Sequence, residues 1–202
     1  MKKLLTIILL MTSSVLYAAD FKQGTDYRAI AVQPTGSGDK IEVLEFFWYG
    51  CPHCYSFEPS IIAWKKSKPA NVEFIRVPAV FRPDWEIQAR TYYALENMGV
   101  VEDVHGKIFK AIHKDKKRLN KKKLIVDFLV ENGVNREKFL AEYSSFSVDG
   151  KVRKAKKLLK PYQIEGVPTV AVNGKYITSG SMAGSYDNLI KILDYLIKQE
   201  SK

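Results

Sequence analysis

The only two cysteines in the 202-residue sequence stand two residues apart, in the run Cys51-Pro52-His53-Cys54. Such a pair can bind metal, close a structural disulfide, or cycle between dithiol and disulfide. A structural zinc site wants four ligands, and the chain has no second cysteine pair, so no metal is expected. His105 and His113 lie far along the sequence in a charged region and are expected at the surface. A structural disulfide gains by closing a long loop, and a ring this small staples almost nothing. Redox exchange is the chemistry that fits.

A thiol attacks only as its thiolate, and a free cysteine with a pKa near ~8.5 is mostly protonated at neutral pH. Its position helps Cys51 to ionise. The pair follows the most apolar strand-like run, Ile41 to Tyr49, and Pro52 suits a first helical position, where its missing N–H costs nothing. Cys51 then caps a helix whose N–H groups and dipole favour an anion, and a protonated His53 adds a nearby positive charge. A stabilised thiolate leaves easily, which makes the disulfide an oxidant. Cys54, Phe57, Ile61 and Trp64 share one helical face, so Cys54 is buried as the resolving thiol and Cys51 is left at the exposed end as the nucleophile. Pro59 falls inside this helix and is expected to kink it.

The elements that must hold this pair follow from periodicity. Asp26 to Val32 reads as a first, edge-like strand, ended by the loop Pro34-Thr35-Gly36-Ser37-Gly38. Ile41 to Tyr49 is nearly all apolar, as a central strand covered on both faces requires. Glu42 and Glu45 interrupt it, and Glu45, set among Leu44, Phe46 and Phe47, is expected to be at least partly buried. Val72 to Val77 forms another strand. From Pro83 to Pro161 five helical patterns follow, with Gly99 and Gly133 at expected helix C-termini. Thr169 to Val172 and Lys175 to Thr178 flank Asn173-Gly174, a two-residue hairpin signal, and Leu189, Ile192, Leu193 and Leu196 mark a closing helix.

Lys2 and Lys3, an apolar run from Leu4 to Leu10, and small residues at Ala18 and Ala19 have the build of a cleaved secretory signal, with Ala18 or Ala19 the last residue removed. The run is short of the roughly 20 residues that span a bilayer. The remaining chain, with 46% hydrophobic residues in the whole sequence, can build a core without disulfides. The net charge of +10 is uneven: His105 to Lys160 holds 17 basic and 6 acidic residues, a balance of +11 that leaves −1 elsewhere. Those lysines read as a solvated helical face. Export and the lack of a recognisable motif argue against nucleic-acid binding.

Cys-Pro-His-Cys after Leu44-Glu45-Phe46-Phe47, the following Tyr55 and Phe57-Glu58, Gly166-Val167-Pro168, and the Asn173-Gly174-Lys175-Tyr176 hairpin resemble the DsbA-type periplasmic thiol:disulfide oxidoreductases. The resemblance spans nearly all of the chain after its leader and is weakest in the helical segment. It implies an α/β thioredoxin fold with an inserted all-helical domain: residues 1–19 as leader, 20–81 and 162–202 as the thioredoxin-fold part, and 82–161 as the insertion. By the same resemblance Cys51 is the nucleophile, Cys54 its partner, and Pro52 and His53 the dipeptide that sets oxidising strength. This family is a known case of a depressed cysteine pKa and an oxidising potential. Pro168 resembles the family's cis-proline facing the disulfide, and the backbone of Val167 would pair with an extended substrate peptide. Glu45 resembles the buried acid beneath the site, and Arg76 falls near the family's basic partner or forms a plain ion pair. Gly50 departs from the bulkier residues common before the first cysteine. The implied activity is donation of the Cys51–Cys54 disulfide to reduced cysteines of newly exported proteins, by a monomer without cofactor, reoxidised by a DsbB-like membrane protein. A disulfide isomerase or reductase, and a non-catalytic chaperone or metallochaperone, are the alternatives.

Overall fold

Ile41–Phe47 forms the strand (β2) that leads to the cysteine pair, and all seven of its residues are buried. The computed structural model describes residues 21–201, so the expected leader and its cleavage point lie outside the described residues. Before β2 comes a short strand, β1 (Arg28–Ala29). After it come helix α1 (Pro52–Ser67) and strand β3 (Val72–Pro78). A 3-10 turn at Pro83–Trp85 opens the helical block, α2 (Glu86–Asn97), α3 (Val101–His113), α4 (Lys122–Glu131), α5 (Arg136–Tyr143) and α6 (Phe146–Leu159). Strands β4 (Thr169–Val172) and β5 (Tyr176–Ser179), the one-turn helix α7 (Gly180–Ala183) and helix α8 (Tyr186–Glu200) complete the chain.

The strands form one sheet in the order β1-β5-β4-β2-β3, with β2 parallel to β3 and every other pair antiparallel. Because side chains alternate along a strand, β2 serves two layers. Ile41 and Val43 pack with Phe57, Ile61 and Trp64 of α1 and with Leu189, Ile192, Leu193 and Leu196 of α8. Leu44 and Phe46 face the other layer, where Tyr162, Ile164 and the helical block close over them. Glu45 belongs by parity to the α1 face, a carboxylate in an otherwise apolar row.

The expected strands and helices are found, with differences at their ends. The first strand is two residues rather than seven, since its partner β5 is cut short by the Asn173-Gly174 turn. β2 stops at Phe47 rather than Tyr49 because its neighbour β3 ends at Pro78, in register with Phe47, and the chain then turns, the Cys51 N–H donating to the Trp48 carbonyl at 3.0 Å. Asn173 and Gly174 have φ of +50° and +65°, the mirror-image turn a two-residue hairpin requires. α2 ends with Gly99 at φ +72° and paired bonds from Gly99 N to Glu96 O and Val100 N to Leu95 O; Gly133, at φ +88°, ends α4 in the same way. Helix α1 runs through Pro59 to Ser67.

Candidate active site

Helix α1 begins at the thiols. Cys51 is its N-cap in extended conformation, Pro52 its first residue, and the Cys51 sulfur accepts the N–H of Cys54 at 3.4 Å. Both cysteines are reduced thiols, Cys51 6% exposed and Cys54 fully buried. Cys51 is therefore far less open than its place at the end of the helix implies, because the Val167 turn covers it. Its thiol donates to the Val167 carbonyl at 3.3 Å, and the Val167–Pro168 peptide is cis, as the resemblance implied. Residues 116 positions apart thus meet at one sulfur.

The two thiols are opposite in acidity. The side chain of Cys54 hydrogen-bonds to the Cys51 sulfur and favours its thiolate; burial opposes this, and the N–H groups of Cys54 and His53 with the His53 charge support it, so the Cys51 pKa falls from 9.0 to about 6. Burial first, then the neighbouring Cys51 sulfur, push Cys54 strongly upward. His53 itself is exposed, its carbonyl held at 3.0 Å by the hydroxyl of Tyr186 from α8. A groove of about 880 Å³ opens here, with His53, Val167, Pro168, Tyr186 and Arg28 in its wall.

Beneath the thiols lies a buried polar cluster. Glu45 and Arg76 are register partners on β2 and β3, and the Arg76 Nε donates to Glu45 Oε2 at 2.9 Å. From the other side, Arg76 Nη2 donates to Glu58 Oε1 of α1 at 3.1 Å. Arg76 thus pairs with two buried carboxylates, an arrangement that either of its expected readings allows. Although burial alone disfavours the Arg76 cation, Glu45 and Glu58 raise its pKa above the ordinary arginine value. Burial raises both carboxyls; Arg76 counters this in each, and Glu58 adds to the rise of Glu45. Glu45 lies near enough to Cys54 to raise that thiol further.

His105 and His113 are corrections to the surface expectation. His105 is 3% exposed, its Nδ1 2.8 Å from the Tyr49 hydroxyl and its Nε2 3.0 Å from Glu58 Oε1. His113 is half-buried, stacks on Tyr55, and donates Nε2–H to the Tyr49 carbonyl at 2.8 Å. Both imidazoles enter because α3 lies against α1 and the loop before Cys51, and a charged neighbourhood in sequence says nothing of which helix face is inward. One signal was present: His105 lies four residues after Val101 and three before Ile108, on the apolar stripe of α3. Tyr186 had no such signal. Gly50 is explained by close approach, for a Cβ there would stand 2.3 Å from the Trp48 ring, itself stacked on Trp85 with centroids 3.8 Å apart.

Comparison with known proteins agrees with this geometry. A sequence profile of the DSBA-like thioredoxin domain matches residues 42–193. The thiol:disulfide interchange protein DsbA of Pseudomonas aeruginosa is 45% identical over 201 residues, 98% of this chain and 95% of that one. Its counterpart from Azotobacter vinelandii is 47% identical over 186 residues, 92% and 87% of the two chains. Among solved structures, Pseudomonas aeruginosa DsbA superposes with a TM-score of 0.87 at 46% identity, covering 91% of this chain and 96% of that one. The oxidoreductase DsbA of Xylella fastidiosa gives 0.83 at 31% identity, covering 89% and 97%.

Proposed function

From the premise that this chain belongs to the DSBA-like thioredoxin family and is a thiol:disulfide interchange oxidoreductase of thioredoxin fold with a helical insertion, we propose how its own residues carry the reaction. The oxidised protein holds the Cys51–Cys54 disulfide. A thiolate on a reduced, newly exported polypeptide attacks Cys51 Sγ; a substrate–Cys51 disulfide forms, the Cys51–Cys54 bond breaks, and the electron pair leaves on Cys54. Burial makes a bare Cys54 thiolate costly, so it takes a proton from Glu45, the nearby buried carboxyl whose own pKa is raised. A second substrate thiolate then attacks the substrate sulfur and expels Cys51 as a thiolate. Because that thiol titrates at about 6, it is a good leaving group at neutral pH, and the protein gives up its disulfide readily.

The opposite acidities of the two thiols carry this reading. Pro52 and His53 tune Cys51, and the Val167 backbone beside Pro168 pairs with an extended segment of substrate lying in the groove. A backbone contact is blind to side chains, which suits many clients. Reduced protein is reoxidised by a DsbB-like membrane protein in the periplasm, reached after the leader is cut near Ala18 or Ala19. Residues 20–81 and 162–202 act as the catalytic part and residues 82–161 as the inserted domain. The reaction keeps all electrons on sulfur and uses no cofactor.

Single-cysteine variants test the assignment. Reduced Cys54→Ser mixed with a peptide whose cysteine is activated as a disulfide with a small thiol should displace that thiol and accumulate a peptide joined through Cys51; Cys51→Ser should trap none. Capture by Cys51→Ser as fast as by Cys54→Ser would reject the roles. Separately, Glu45→Gln should slow transfer from the oxidised protein, and an unchanged rate would remove Glu45 as proton donor.

A further inference from the structure

Glu45, Glu58 and Arg76 are all buried, two possible negative charges facing one positive one. His105 cannot balance the difference, because burial first, and Arg76 next, lower its pKa to about 3. One carboxyl must hold a proton, and the hydrogen bonds say which. Suppose it were Glu58. Its hydroxyl would donate to His105 Nε2, and Nδ1–H would donate to the Tyr49 oxygen, leaving the Tyr49 proton with no acceptor among its described contacts. Glu45 would then be an anion whose Oε1 is buried with no partner among the described residues.

The other arrangement satisfies every member except Glu45 Oε1, which has no partner among the described residues in either case. The Tyr49 hydroxyl donates to Nδ1, Nε2–H donates to Glu58 Oε1, and that carboxylate receives His105 and Arg76 together. The proton then rests on Glu45, where a bare neutral oxygen costs less than a bare anionic one. We infer that His105 is a positioning residue for the redox reaction: by fixing Glu58 as a carboxylate it keeps the shared proton on Glu45, beside Cys54. This rests on Glu45 being the proton donor to Cys54. The groups facing the cluster are Cys54, Glu58 and Lys65 from α1, Arg76 from β3, Tyr92 from α2, Glu102 and His105 from α3, and Tyr49 from the loop. Glu102 is mostly exposed, is paired with Lys65 at 2.7 Å and stands 3.7 Å from Arg76 Nη1, farther than Glu58, so Lys65 and solvent balance its charge and it does not replace Glu58.

The test is the pH titration of the Glu45 and Glu58 side-chain carboxyls, followed by carbon NMR on glutamate-labelled reduced protein. In the wild type Glu45 should be the carboxyl that is protonated at neutral pH. His105→Leu should lower the Glu45 titration by about one pH unit or more, the worth of a hydrogen bond to a charged group, and raise that of Glu58. His105→Gln, whose amide can still donate to Glu58, should restore most of the wild-type order, which a merely structural role would not. The amide spectrum identifies a variant that has lost its fold, and His105→Gln then carries the test alone. Glu45 titrating alike in wild type and folded His105→Leu, or His105→Gln behaving as His105→Leu, would overturn the inference. So would a wild type with Glu58 protonated and Glu45 ionised. An effect of Glu45→Gln on transfer is judged separately: if transfer ignores Glu45 but the titrations shift as stated, the donor reading fails while the proton placement stands.

Discussion

Lowering the pH through 6 should change how many protons accompany reduction of the Cys51–Cys54 pair. The Cys51 pKa is about 6 in the folded, reduced protein against 9.0 for an ordinary thiol, while Cys54 stays protonated. Below pH 6, reduction takes up two electrons and two protons, and the potential falls by about 59 mV per pH unit; above it, one proton, and about 30 mV per unit. The same shift is a stability term. A depressed pKa stabilises the folded reduced protein fully above the unfolded value near 9, and the contribution is lost as pH falls through the folded value near 6. At pH 7, (1 + 10)/(1 + 0.01) is roughly 11, or about 1.4 kcal/mol, and at pH 5 almost nothing remains. The assay is equilibration of the protein with glutathione buffers from pH 5 to 8, with urea unfolding of the reduced and oxidised forms at the ends of that range. Other groups that titrate alike in both redox forms cancel in the reduced-minus-oxidised difference. The slope should break near pH 6, and the reduced form should lose about 1.4 kcal/mol relative to the oxidised form between pH 7 and pH 5. An unbroken slope near 59 mV up to pH 8 would mean that Cys51 keeps its proton, and the account of its reactivity would be wrong.

Other perturbations test the surroundings of the pair. Arg76→Met strands two buried carboxyls and should destabilise the protein by about 3–5 kcal/mol at pH 7; since both carboxyls already have raised pKa values, the deficit should shrink in urea titrations at lower pH, as they bind protons. Gly50→Ala should cost about 1–3 kcal/mol by driving Trp48 from its stack on Trp85, seen in the urea midpoint and the near-ultraviolet dichroism; an unchanged midpoint would show that the ring has room to move. Gly174→Ala should destabilise by about 1–3 kcal/mol, because its φ is +65° and the new Cβ would stand 2.3 Å from the Gln33 carbonyl oxygen, which is backbone and cannot swing aside. Calorimetry on the oxidised variant checks it.

The thiols, their helix, the hairpin and every long helix were legible because each rests on local rules: proline at a first turn, a face repeating every three or four residues, Asn-Gly between strands. Val167 and Pro168 needed the family resemblance, since their place over Cys51 depends on how β4 docks beside β2. Glu45 showed itself as a carboxylate in an apolar strand, but its partners Arg76 and Glu58 come from two other elements, and nothing local pairs them. The histidines were misplaced for the same reason. Their neighbours in sequence are charged and, apart from Lys151, the basic residues from Lys107 to Lys160 are exposed, yet the α3 stripe carries His105 inward. Tyr186 meets His53 across 133 residues, a contact only the closed fold defines.

Helix α3 grips Tyr49 at both ends, His105 at its hydroxyl and His113 at its carbonyl, two residues before the nucleophile. The helical block and the thiol loop are therefore not interchangeable modules. A chimera that grafts a block from another protein onto this sheet must bring a matching acceptor at 105 and a donor at 113, or it leaves a buried phenol and a backbone carbonyl unsatisfied at the root of the catalytic loop. Sequence drift within the block is constrained at these two positions by a site to which the block contributes no sulfur.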